Sequence, residues 1–272
     1  MDKKRDAQKY CQDGRLTRNQ NELTRAVVSF TRAIKLNKTK SDYLFEMANT
    51  VGSQDKFKEA TVLYKMIGSM DPNNSLVFFN SGYAFQMMGK DDDSIKMYKK
   101  ALDLNPNYGD VCYNLANVLI MQGKYEEAHK YYTKVLELQP ADDYLVYNCL
   151  GYSYFLQGEF AKAIEELKKS ISLNEKDPFA YCNMSLVLFC EEKSEEALKY
   201  FEGGLKVLEG EECPRKVFEE IIRSYVNKKT SFEVELNKNN EILSEAKRIL
   251  LRTMVNGLIK ILDLLTKSIP DK

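Results

Sequence analysis

GDVCYNLANVLIMQGKYEEAHKYYTKVLELQP, residues 109–140, reads as two short amphipathic helices joined at a glycine. Cys112, Leu115, Ala116 and Leu119 form one stripe, and Tyr125, Ala128, Tyr132, Val135 and Leu136 form a second. Both stripes have the three-and-four spacing of a helix with one buried face. Gly123 and Lys124 break the chain between them, and Pro140 closes the unit. Neither helix can bury its stripe alone, so the two must pair and then stack on neighbours. Pro106 and Pro72 precede Pro140 at the same interval of 34 residues. That interval predicts a repeated helix pair.

The unit before it, 75–108, matches position by position. It reads Phe78, Gly82 and Phe85, then Gly89, then Ser94, Tyr98 and Ala101. Residues 41–74 give Leu44, Ala48 and Val51, then Ala60, Tyr64 and Ile67. Residues 7–40 give Tyr10, Ala26, Phe30 and Ala33, with Lys38 where proline would stand. The first helix of that unit is degraded, since Asp13 and Thr17 occupy its apolar positions. Downstream, 144–177 supplies Tyr147, Leu150, Gly151, Tyr154, Gly158, Phe160, Ala163 and Leu167. Residues 178–211 supply Tyr181, Met184, Ser185, Leu188, Ala197 and Phe201. The small residues fall where two helix axes approach closely.

These positions resemble the tetratricopeptide repeat (TPR). That family asks for an aromatic, then leucine–glycine, then an aromatic in the first helix. Its second helix asks for alanine, an aromatic and alanine, with proline at the end. Leu44, Ser94, Cys112, Ser185 and Gly204 depart from the pattern by tolerable exchanges of size. The resemblance covers about three-quarters of the chain. It implies an all-α, right-handed superhelix (an α-solenoid) of six helix pairs that binds partner proteins and has no catalytic role. In such stacks the first helices line an inner groove.

By register, the groove positions are Phe45, Glu46, Asn49, Phe79, Asn80, Tyr83 and Met87, then Tyr113, Asn114, Asn117 and Ile120. Asn148, Tyr152, Phe155, Cys182, Asn183, Leu186 and Phe189 continue the series. The expected surface is aromatic and amide-rich with few charges, suited to a peptide or helix. Packing between helices is the competing role, above all for Asn80, Asn114 and Asn183, which share one repeat position. An apolar inner face of this kind could also be filled by the chain's own C-terminal helix.

Other TPR proteins clamp acidic chaperone tails with lysine, two asparagines, lysine and arginine. Here Asn49 and Asn80 fit, but Phe45, Asp110 and Asn114 replace the cations, which disfavours that ligand. RNA is a weaker alternative partner, because these positions supply no basic track for phosphates.

Past residue 211 the pattern decays. Residues 212–236 read as an incomplete seventh unit, with Pro214 at a first helical turn. Residues 241–269 read as a long amphipathic helix with a stripe through Leu250, Met254, Leu258, Ile261 and Leu265. That stripe fits a cap over the last repeat, or a surface for self-association or docking. A structural subunit of a ciliary, cytoskeletal or trafficking assembly, docking through its outer face or this helix, is the second reading of function.

Composition narrows the remaining classes. Forty basic and forty acidic residues among 272 give no net attraction to nucleic acid or anionic membrane. The start MDKKRDAQKY lacks the apolar stretch of a secretory signal, and no window has the length and apolarity of a membrane span. Six cysteines without a CxxC pair read as thiols of a reducing, cytoplasmic compartment. A single histidine, His129, and no glycine-rich phosphate loop leave no expected metal, cofactor or catalytic constellation.

Overall fold

A computed structural model describes residues 3–20, 22–37, 41–138, 143–209 and Ile259. The described residues form twelve α-helices and no strand. They divide into two compact units, Met1–Leu138 and Gln139–Lys272.

In the first unit the pairs are α1 (Lys3–Asn19) with α2 (Leu23–Leu36), and α3 (Ser41–Gly52) with α4 (Phe57–Met70). They continue with α5 (Ser75–Met87) and α6 (Asp91–Leu104), then α7 (Gly109–Met121) and α8 (Tyr125–Leu138). Each first helix also touches the next first helix, α1 to α3, α3 to α5 and α5 to α7. The second helices make no comparable contact with one another. The first helices therefore form the closer-packed layer, and their outward face is the inner surface of this unit. The second unit holds α9 (Tyr144–Leu156) with α10 (Phe160–Leu173), and α11 (Pro178–Cys190) with α12 (Ser194–Glu209).

The predicted stripes supply much of the buried core, whereas Phe85, Tyr125, Leu136, Tyr147, Tyr154, Phe160 and Tyr181 are only half-buried. Ala48, Ala60, Ala116, Ala128, Ala163 and Ala197 are all fully buried, as are Tyr98, Tyr132 and Leu167. Two glycines show why the small residues matter. A Cβ on Gly82 would lie 2.6 Å from the Tyr98 ring, and one on Gly151 would lie 2.6 Å from Leu167. Real side chains do not approach so closely, so these sites set how near the paired axes come.

The turn inside each pair is also a repeated device. Asp55, Gly89, Gly123, Gly158 and Glu192 occupy one repeat position, and all five have positive φ. The amide of the following residue reaches back to the carbonyl five residues earlier, as Lys124 does to Leu119 at 2.9 Å and Lys193 to Leu188 at 3.0 Å. This is the glycine-favouring closure of a helix C-terminus. Glu192 adopts it without glycine's freedom, at φ 62°. A Glu192→Gly substitution should therefore raise stability by about 1 kcal/mol, measured by denaturant unfolding.

One feature differs from expectation. The first helix of the first unit is not degraded: α1 runs through seventeen residues. Asp13 accepts a hydrogen bond from Ser29 Oγ of α2, and Thr17 Oγ1 bonds back to the carbonyls of Asp13 and Gly14. Gly14, unremarked in the sequence, sits where a Cβ would press on Phe30 at 2.7 Å. The expectations for 212–236 and 241–269, with Leu250, Met254, Leu258, Ile261 and Leu265, lie outside the described residues, as does Pro140.

Candidate functional site

The first-helix face of the first unit is built from a recurring aromatic pair. Phe45, Phe79 and Tyr113 share one repeat position on α3, α5 and α7. Each ring packs on a tyrosine of its own second helix: Tyr64 at 6.3 Å, Tyr98 at 6.1 Å and Tyr132 at 6.0 Å between centroids. All three rings on the face are half-buried. They line the surface but are partly engaged by the protein itself.

One turn further along, a second recurring pair forms. The Tyr64 hydroxyl donates to Asn49 Oδ1 at 2.7 Å, and the Tyr132 hydroxyl donates to Asn117 Oδ1 at 2.6 Å. Burial pushes the Tyr64 hydroxyl well above its ordinary pKa, so it stays a protonated donor. Asn80 Nδ2 also donates to Asn49 Oδ1, at 3.1 Å, linking α5 to α3. Asn114, at the same position as Asn80, instead donates to the Asp110 carbonyl of its own helix at 2.8 Å. Asn49 and Asn80 thus brace the stack as well as facing the surface.

In α5 the asparagine position is taken by Tyr83, and this changes the local chemistry. With no amide opposite it, the Tyr98 hydroxyl turns to Gln86 Oε1 at 2.7 Å. Tyr83 itself is 45% exposed, with its ring edge-on to Phe57 at 6.5 Å. Met87, one turn on, is 50% exposed. With Leu76, also exposed, these are the large apolar side chains that α5 offers to solvent.

The charge on this face was not legible in advance. Glu46 accepts from Arg15 Nε at 2.6 Å and from Arg18 Nη1 at 2.6 Å, both on α1. Arg15 stands at the repeat position of Asn49 and Asn117. Asp42 also acts on Arg15, so two cations and two carboxylates meet at this end of the face.

In the second unit Asn148 and Tyr152 are half-buried on α9. Tyr152 stacks on Phe155 at 6.0 Å, and Phe155 is fully buried. Asn183 is buried and donates to Asn148 Oδ1 at 2.8 Å, tying α11 to α9. Ile120, Phe155, Cys182, Leu186 and Phe189 were expected on the groove by register and are instead buried. Register marks which way a side chain leaves its helix, but not what lies over it.

The arrangement can take apolar side chains against Tyr83 and Met87 and can exchange hydrogen bonds with a peptide backbone through its amides. Among the described residues, no group of three or more His, Cys, Asp or Glu is placed to hold a metal ion. No described helix is long and apolar enough to cross a membrane.

Two family models fit the chain. One, the tetratricopeptide repeat, matches residues 109–142. Another, a TPR repeat model, matches 82–123 and 151–189. No curated protein sequence matches the chain. Among solved structures, MamA is 26% identical with a TM-score of 0.55, covering 60% of this chain and 95% of that one. PilF of Pseudomonas aeruginosa is 17% identical with a TM-score of 0.62, covering 81% and 99%. YrrB, described as a TPR protein with an unusual peptide-binding site, is 20% identical with a TM-score of 0.55, covering 69% and 96%. For PilF and YrrB the likeness is one of fold alone.

Proposed function

The chain carries tetratricopeptide repeats over residues 82–142 and 151–189, and from that premise we propose that it is a non-catalytic protein-interaction scaffold. It holds a peptide or helical segment of a partner on the first-helix face. The carrying observation is the exposure of Tyr83 and Met87 on α5, beside the Asn80–Asn49 amide bridge. Aromatic area at fixed position binds with little loss of side-chain entropy, and amides at the margin set the register of a bound backbone.

The residues of this face in the first unit are Phe45, Asn49, Phe79, Asn80, Tyr83, Tyr113, Asn114 and Asn117; in the second unit, taken by itself, the first helices carry Asn148, Tyr152 and Asn183. Their contributions differ. Phe45, Phe79 and Tyr113 give a half-buried floor, whereas Tyr83 projects from it.

Site-specific photo-crosslinking tests this reading. A photoreactive amino acid at position 83 should give protein adducts in extract from the native source, and one at Val62, which is exposed on the second helix α4, should not. Adducts from position 62 with none from 83 would place the docking surface on the outer helices.

A further inference from the structure

The exposed apolar residues of α5 form a lengthwise row. Leu76 is 40% exposed, beside the 45% of Tyr83 and the 50% of Met87. Spacings of seven and four residues put all three on one side of the helix. At about 1.5 Å per residue the row runs roughly 16 Å. It lies in the first-helix layer between α3 and α7, both of which α5 touches.

The helices on either side flank the row with polar groups. At the repeat position of Leu76, α3 has Asp42 and α7 has Asp110, both exposed. At the position of Tyr83 they have Asn49 and Asn117. Beside Met87 stands one further apolar side chain, Met121 of α7, which is 78% exposed. A segment crossing the stack at Leu76 or Tyr83 would meet polar, apolar and polar ground in turn. One lying along α5 meets apolar surface throughout.

Charge on these three helices has one sign. α3, α5 and α7 contain Asp42, Glu46 and Asp110 and no lysine or arginine. The cations of the unit stand on α1, on the second helices and in the connections. Arg15 and Arg18 of α1 hold Glu46, and Asp42 acts on Arg15. Asp110 stands on the other side of α5 from these arginines. The turn lysines Lys56, Lys90 and Lys124 follow the opposite ends of the three helices, toward Met87 and away from Leu76.

We propose that the partner segment on this face is an amphipathic helix lying along α5. Its apolar residues, three and four apart, rest on Leu76, Tyr83 and Met87, and a lysine or arginine beside them meets Asp110. This inference rests on the reading of the first-helix face as a binding surface, and adds the partner's form, its line across the face and its charge. A helix presents a continuous apolar row while its own backbone groups stay bonded. Methionine and tyrosine offer it adaptable area at a fixed place. An exposed charge pair contributes little affinity, but it selects between ligands of equal apolar area.

Three short synthetic peptides test this by fluorescence anisotropy with the full-length chain. One is a helix with leucines spaced to match the row and lysines beside them. A second has glutamate for each lysine, and a third has the first's composition with its leucines off helical spacing. The lysine helix should bind at least about fivefold tighter than either of the others, the size expected of a few exposed charges. Asp110→Asn should at least halve its preference over the glutamate helix. Equal affinity for the two helices, a preference that Asp110→Asn leaves whole, or equal binding of the off-spaced peptide would each overturn the proposal. So would failure of all three to bind.

Asp110 lies in the first turn of α7, where a carboxylate also favours its own helix. Should Asp110→Asn unfold the unit, the unaltered chain decides by salt. The preference for lysine should fall as ionic strength rises, and a preference indifferent to salt would contradict the proposal. The two readings fail separately. Binding that needs Tyr83 and Met87 but ignores charge and helical spacing removes this inference and keeps the face. Binding undiminished by Tyr83→Ala with Met87→Ala removes the face itself.

Discussion

Tyr132→Ala is expected to destabilise the first unit by about 3–5 kcal/mol. Tyr132 is fully buried between α7 and α8, packs on Tyr113 and donates its hydroxyl to Asn117. Truncation removes an aromatic ring from a site that close-packed neighbours cannot refill. Tyr132→Phe separates the two terms. It keeps the ring and loses one hydrogen bond, a net cost of about 0.5–1.5 kcal/mol. Asn117 is only half-buried, so water can satisfy its oxygen and the lower end is expected. Because stacked repeats gain stability from their neighbours, the alanine variant should weaken α5 and α6 as well. Denaturant unfolding with hydrogen exchange read by peptide measures both. Equal costs for the two variants would mean that ring packing is not what holds α7 to α8.

Gly151→Val should cost the second unit about 1–3 kcal/mol, at the upper end of that range. A Cβ there meets Leu167 Cγ at 2.6 Å and the Ala163 carbonyl oxygen at 3.1 Å. The second of these is backbone and cannot rotate away. Replacing a mid-helix glycine ordinarily gains some fraction of 1 kcal/mol in helix propensity, so the sign of the result is informative. Net stabilisation on unfolding would show that α9 and α10 have room to spare, contrary to the role given to small residues at their crossing.

The reading of the sequence went furthest where one interaction repeats. Apolar stripes, small residues at crossings and a turn in each pair are local and periodic, so the spacing of Pro72, Pro106 and Pro140 and the matching positions around them were enough to place the helix pairs. Departures came where a polar side chain does a structural task. Asp13 and Thr17 look like breaks in a stripe, but Asp13 accepts from Ser29, sixteen residues away, and Thr17 bonds to its own helix. Hydrophobic periodicity carries no record of such pairings. The same holds for Arg15 and Arg18 meeting Glu46 across thirty-one and twenty-eight residues.

The face itself was legible as positions and not as accessibility. Tyr83 stands out only after its neighbours are known: where Asn49 and Asn117 hold a buried tyrosine hydroxyl, Tyr83 cannot, and it is left projecting. Comparing residues at one repeat position, 49, 83 and 117, would have singled it out from sequence. The burial of Cys182 and Leu186 carried a weaker hint, since cysteine and leucine replace the tyrosine and asparagine found on α7. Asp55 and Glu192 in the positive-φ turn position were equally open to that comparison, as the two non-glycine members of a glycine series.

The most direct measurement is the affinity of full-length chain for peptides selected on it from a random display library, compared with Tyr83→Ala combined with Met87→Ala. The dissociation constant should rise at least about tenfold, equivalent to about 1.4 kcal/mol, while the unfolding midpoint stays nearly unchanged. An unaltered dissociation constant in a folded double variant would contradict a partner held on the first-helix face.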